Sequence, residues 1–414
     1  MVVCPIMEFV TLGDKNRVYL DHNATTPLAK FIVDKTPQWL EAWGNPSSIH
    51  SDGRGPKNLL REARNNLAKL VNCHPIEIVF TSGGSEANNM AIKGVFDSFH
   101  KLSSDPARKE RNELIISAIE HPSIVSTAEY LQTRGFKVHR IGVNRDGEFD
   151  LETYKKVLSK NTALVSVMYA NNETGNLMPL DEICRLAHEA GALVHSDCVQ
   201  TLGKTNVDLK SLNVDLASFS GHKFYSLKGA GFLFVRRKTP IDNLIHGGGQ
   251  ERGRRGGTEN LLAQVAFGEM AKNKDNVSDY VDQMKELRDH FEDRVSSEIS
   301  EVQFTGVKTK RLPNSSSLTI AGVDGESLLM NLDIEGFSVS TGAACSSGNP
   351  EPSPVLLAMG LSRKEAQSSL RIGLGWSTTK DQIERFVDCL KRVVTRLRKI
   401  EAEYNDLDEV EYAN

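Results

Sequence analysis

"LDEICRLAHEAGALVHSDCVQ" (residues 180–200) sets a helical pattern directly before an apolar, strand-like one. Apolar side chains recur at three- and four-residue spacing up to Ala190, and a short β-rich run then ends at Asp197. Similar strand-like runs lie on both sides: "IEIVFTS" (76–82), "NELIISAIEH" (112–121), "TALVSVMYANNETG" (162–175), "VDLASFSGHK" (214–223) and "GFLFVRRK" (231–238). Helical patterns such as "GPKNLLREARNNLAKLVN" (55–72) separate most of them. This alternation predicts an α/β domain with a mostly parallel sheet.

The pattern changes after about residue 260. "DNVSDYVDQMKELRDHFEDRVSSEI" (275–299) reads as one long amphipathic helix. Weaker strands follow in "SSSLTIAG" and "FSVSTG", and "KDQIERFVDCLKRVVTRLRKIEAEY" closes the chain as another helix. The expected division is an N-terminal segment over 1–29, a large domain over 30–277 and a smaller α+β domain over 278–414. The chain ends on a switch of sign, since residues 400–414 carry six acidic and no basic side chains. This predicts a solvated helix end and a frayed tail, or a tail that docks a partner.

Composition narrows the function. With 414 residues, 39% hydrophobic and 25% charged, the chain is an ordinary globular protein large enough for more than one domain. A net charge of −4 offers none of the basic field a nucleic-acid binder needs, and no apolar run is long enough to span a membrane. The N-terminus lacks the pattern of a secretory signal, so a cytoplasmic location is expected. The six cysteines (4, 73, 184, 198, 345 and 389) have neither zinc-site nor C-x-x-C spacing.

Four places could carry chemistry, the fourth being the Cys345 stretch taken together with the Arg371 run that follows it. In "VFTSGGSEANNMAIKG" (79–94) a strand gives way to a glycine turn and a helix opening near Glu86, which suits either a bound phosphate or a plain βα turn. Asp197 stands where a buried strand stops, as a helix cap or a functional carboxylate. Lys223, in "SFSGHKFYSLKGAG" (218–231), is a surface lysine or a partly buried amine of lowered basicity. Arg371 in "SLRIGLGWSTT" is a structural ion pair or a two-pronged carboxylate clamp. Cys345 in "STGAACSSGNPEPSP" (340–354) is an inert small residue or a nucleophile among small residues that leave it free to travel.

Together these motifs resemble those of the cysteine desulfurases and the related selenocysteine lyases. The resemblance runs from "YLDHNATTPL" (19–28) to about residue 399. It includes "EAWGNPSSIHSDGR", "EHPSI", "YANNETGNLMP", "HSDCVQTLGK", "HGGGQERGRRGGTEN" and "GAACSSGNPEPSPVLLAMG" in the same order and spacing. It implies the pyridoxal-phosphate-dependent fold type I of aspartate aminotransferase. It also implies conversion of L-cysteine to L-alanine, with sulfur held as a persulfide for an acceptor in iron–sulfur assembly or tRNA thiolation. Selenocysteine lyase is the alternative.

The resemblance also implies roles. Lys223 would carry the cofactor and then remove the substrate Cα proton, while Asp197 would pair with the pyridine nitrogen. His121 would stack on the ring, and Gln200 and Asn172 would face its phenolic oxygen, with Asn172 also near substrate. Gly84, Ser85, Ser220 and His222 would hold the phosphate, joined by Thr258 from the other subunit of a homodimer. Arg371 would take the substrate carboxylate. Cys345 would be the nucleophile; no metal site is implied beyond Cys345 as a ligand for the iron of a transferred cluster. Two departures stand out: His22, where many relatives have tyrosine, and an additional arginine in "GGGQERGRRGGTEN", available for phosphate contact or surface charge.

Overall fold

Every residue is buried in β2 (Ile78–Thr81), β3 (Glu113–Ser117), β5 (Thr162–Ser166), β7 (Leu216–Ser220) and β8 (Gly231–Val235), all taken from the runs above. Short strands covered on both faces belong at the centre of an α/β sheet. In the computed structural model, which describes residues 7–10, 16–102, 105–273, 277–342 and 351–411, they join β4 (Lys137–Ile141) and β6 (Leu193–Asp197). The seven strands lie in the order β2-β8-β7-β6-β5-β3-β4. Only β8 runs against its neighbours, so the sheet is mostly parallel as expected.

Alternate side chains along each strand feed two cores. Leu114, Ile116, Leu164 and Leu216 pack with Met90, Val95 and Phe96 of α1 (Gly84–Asp97) and Ile124 and Leu131 of α2 (Pro122–Thr133). Ile115, Val165, Ala217 and Phe219 point the other way, into a cluster shared with Leu67 and Phe267. Helices therefore cover both faces. The α1 helix starts at Gly84, two residues before the position read from sequence.

Chain order reverses between β3 and β5: β4 leaves on one side, while β5, β6 and β7 extend on the other. A crevice opens at such a switch point, outside the carboxyl ends of the strands. A second, antiparallel sheet supplies the facing wall. Its order is β12-β10-β9, from β9 (Val302–Phe304), β10 (Ser315–Ile320) and β12 (Ser369–Gly373). It is backed by the long helices α3 (Val277–Glu298) and α4 (Lys380–Glu411), whose Phe291 and Phe386 rings stack 5.8 Å apart. The helix expected over 380–404 continues to Glu411, through residues read from the sequence as a frayed or partner-docking tail.

The N-terminal part ties the two sheets together. Strand β1 (Val18–Tyr19) pairs in parallel with β11 (Phe337–Ser338). Leu20 and His22 then exchange backbone hydrogen bonds with Gly373 at the end of β12. That contact holds Asp21 to Ala24 across the mouth of the crevice. Among the described residues, no helix is long and apolar enough to cross a membrane.

Candidate active site

The carboxyl ends of β3, β5, β6 and β7 converge on a cavity of about 320 Å³. Ten of the twelve candidate residues line it: Gly84, Ser85, His121, Asn172, Asp197, Gln200, Ser220, His222, Lys223 and Arg371. Thr258 does not; it is exposed, in the loop after β8. Cys345 lies outside the described residues.

Asp197 is the last residue of β6 and 7% exposed. One carboxylate oxygen accepts from Asn88 Nδ2 at 2.7 Å and the other from the backbone N–H of Val199 at 2.9 Å. Two such bonds, one to each oxygen, fix the direction in which the carboxylate points. His121 caps α2, its Nδ1 accepting from the Ser123 N–H at 3.1 Å. Burial holds its imidazole below the usual basicity, helped by the Lys223 charge and opposed by Asp197.

Lys223 follows β7 on a single 3-10 turn. Its Nζ donates to the carbonyls of Asn23 at 2.5 Å and Ala24 at 2.6 Å. Burial, then the Arg371 charge, lowers its pKa to about 8, while Asp21 and Asp197 pull the other way. Arg371 projects from β12 and pairs with Asp21 at 2.8 Å; its Nε is buried without a partner. The small sheet thus delivers a cation to a site built on the large one.

The start of α1, which also lines the cavity, is suited to an anion. The first turn of α1 has Gly83 as its N-cap and no side-chain cap, which leaves N–H groups free to donate. A Cβ on Gly84 would lie 2.6 Å from Val199, so only glycine allows that approach. The Ser220 hydroxyl is buried and unpartnered beside it. Burial, with nearby lysine charges, keeps His222 neutral, with its pKa lowered to about 4.

Sequence reading missed the supports of these residues. Asn23 accepts through one carbonyl from both Lys223 and Gln200, and Asn88 orients Asp197. Both lie inside motifs already singled out, "DHNATTPL" and "SEANN", so the signal was present without a role attached. Lys204 was also passed over; it is 3% exposed and donates to Gln200 Oε1 at 2.6 Å. Of the two departures, His22 is buried against Tyr19 and kept neutral, its pKa lowered by burial to about 3. Two of the three arginines of the glycine loop are committed within the chain: Arg254 to the carbonyls of Ile76 and Ile78, Arg255 to Glu86.

Comparison with known proteins agrees with this geometry. The aminotransferase class-V family model matches residues 18–386. Cysteine desulfurase IscS of Dictyoglomus turgidum is 42% identical over 388 residues, covering 93% of this chain and 96% of its own length. Cysteine desulfurase NifS of Azotobacter vinelandii is 38% identical, covering 92% and 94%. A solved NifS-like protein superposes with a TM-score of 0.84 at 34% identity, over 92% of this chain and 99% of that one. A structure of SspA in complex with cysteine gives 0.75 at 31% identity, over 86% and 98%. These names favour the desulfurase reading over the selenocysteine lyase alternative. The chain belongs to the aminotransferase class-V family and, within it, to the cysteine desulfurases.

Proposed function

We propose that the cavity binds pyridoxal 5'-phosphate and that the protein converts L-cysteine to L-alanine, passing sulfur to Cys345. The observation that carries the reading is the convergence of a hydrogen-bonded carboxylate, a lysine of lowered basicity and an anion cradle in one cavity of fitting size. The unpartnered Ser220 hydroxyl and the uncapped start of α1 fit the phosphate. Asp197, which lines the same cavity, fits the pyridine nitrogen. When bound, the cofactor supplies an electron-withdrawing ring that stabilises negative charge at the substrate Cα.

The side chains divide the remaining work. Asp197 would hold the proton on the ring nitrogen, and His121 would cover the ring face. Gln200 and Asn172 would face the phenolic oxygen. Gly84, Ser85, Ser220 and His222 would hold the phosphate, together with the partner subunit's Thr258 in a homodimer. Lys223 would hold the cofactor, and its Nζ, once free, would take the substrate Cα proton. A pKa near 8 leaves that amine partly neutral at physiological pH, as a general base needs. Arg371 receives the substrate carboxylate on the guanidinium face now paired with Asp21.

Cys345 attacks the substrate sulfur as a thiolate. The new S–S bond forms as the substrate Cβ–S bond breaks, and the electron pair stays on the carbon skeleton, which takes up a proton at Cβ and regains one at Cα to become alanine. Cys345 keeps the sulfur as a persulfide for an acceptor protein. The free thiols Cys73, Cys184, Cys198 and Cys389 suit a reducing compartment such as the cytoplasm.

Alanine production by the purified protein, beside Cys345→Ala, tests this reading, with L-selenocysteine run in parallel. Wild type should yield alanine from L-cysteine and a persulfide on Cys345, and the variant should lose both. Absence of alanine from either substrate with cofactor bound would overturn the assignment.

A further inference from the structure

Glu173 sits in the turn "NNETG" beyond β5 and is 8% exposed, yet the scheme above gives it no role. Its Oε2 accepts a hydrogen bond from the hydroxyl of Ser353, which is fully buried. That hydroxyl also accepts from the Leu356 N–H at 3.1 Å and so caps the helix Pro354–Ala358. On the other side stands Gly342, where a Cβ would lie 2.7 Å from the same Oε2 and 2.9 Å from Ser353 Cβ. Gly342 and Ser353 flank the segment that contains Cys345. One carboxylate oxygen therefore touches the chain just before and just after the nucleophile.

The surrounding contacts extend this junction to the cavity. Asn171 Oδ1 accepts from the Glu173 N–H at 2.8 Å and fixes the turn. The carbonyl of the adjoining Asn172 accepts from Asn23 at 3.2 Å. Ser340, two residues before Gly342, exchanges both backbone hydrogen bonds with Arg371. The turn that lines the cavity, the strand that carries Arg371 and both ends of the Cys345 segment thus meet at Glu173.

We infer that Glu173 is a positioning residue for sulfur transfer: through Ser353 and against Gly342 it fixes where the two ends of the Cys345 segment leave the fold. It touches neither cofactor nor substrate and acts only on the approach of the thiolate to the substrate sulfur. A buried hydrogen bond beside one end of the segment, with the other end packed against the same carboxylate, is well placed to do this, because a misplacement of about 1 Å far from the chemistry can cost a large factor in rate. The inference rests on Cys345 being the persulfide carrier.

The test is single-turnover persulfide formation on the holoenzyme, trapped by alkylation and read by mass spectrometry. The absorbance change on adding L-cysteine is followed in the same samples. Glu173→Ala and Ser353→Ala should each slow persulfide formation about tenfold, the loss expected for one buried hydrogen bond, with the absorbance change at unaltered substrate concentration. The double variant should be no slower than either single one, since both remove the same contact. Glu173→Gln, which keeps an acceptor for Ser353, should recover most of the rate. If wild type forms persulfide and the variants match it, the role of Glu173 is wrong. The same holds if they lose rate and substrate binding in parallel, or if the two losses add. If wild type forms no persulfide on Cys345, the desulfurase scheme itself fails.

Discussion

Lys223 shows how one side chain acquires its chemistry from distant parts of the chain. Its ammonium is held by two carbonyls some 200 residues away in sequence, and its basicity is set by burial and by an arginine on another sheet. A lysine with a pKa of about 8 is half neutral at pH 8, where exposed lysines near ~10.4 are almost wholly charged. In protein stripped of cofactor, an acylating reagent at pH 8 should therefore modify Lys223 ahead of surface lysines, read residue by residue by mass spectrometry. Arg371→Ala removes the charge that disfavours the ammonium and frees Asp21, which favours it. Both changes raise the pKa, so the pH midpoint for labelling should move upward; an unmoved midpoint would show that burial alone sets it.

At the scale of elements, the ends of β3 and β5 meet at Glu120. Its Oε1 accepts from the Ser117 hydroxyl at 2.5 Å and from the Met168 N–H at 2.9 Å, while Oε2 is buried without a partner. Burial raises its pKa to about 8. In the unfolded chain this carboxyl loses its proton near pH ~4.3, so between about pH 5 and 8 the folded state binds the extra proton. Stability attributable to Glu120 is full below that window and falls as pH rises through it, by at most about 1.4 kcal/mol per pH unit. Glu120→Gln should flatten that decline in denaturant midpoints measured from pH 5 to 8. A decline equally steep in the variant would assign it to other groups. Elements also mark where the sequence stopped being readable. The runs that became β2, β3 and β5 to β8 were legible because buried strands bounded by turns leave a clear pattern; β4, half open at the edge of the sheet, leaves none and was not read. The reversal of β8 was not, since "GFLFVRRK" reads alike in either direction. Asn23, Lys204 and Glu173 stayed silent because a polar residue inside a motif reveals its partner only after distant segments have packed.

The whole molecule raises the question of completeness. Ten site residues gather in one cavity of a single chain, and Thr258 stands exposed outside it. Near one another in sequence, Leu40, Trp43 and Ile49 are 59%, 81% and 94% exposed. Where large exposed apolar side chains form a contiguous patch, that patch is a common mark of a surface that another protein covers. A second copy of the chain accounts for both facts: it would bury these side chains and bring its Thr258 hydroxyl to the phosphate. Thr258→Ala should then weaken cofactor binding about tenfold, the loss expected for one hydrogen bond to a charged group. Lys223→Ala should be inactive. Mixing the two variants after dissociation and reassembly separates the possible arrangements. In a mixed dimer, the chain with an intact Lys223 receives an intact Thr258 from its partner, so one of the two sites is whole. Activity at limiting cofactor should rise above that of either variant alone. If Thr258 served the pocket of its own chain, every mixed dimer would pair one damaged site with another, and mixing would recover nothing.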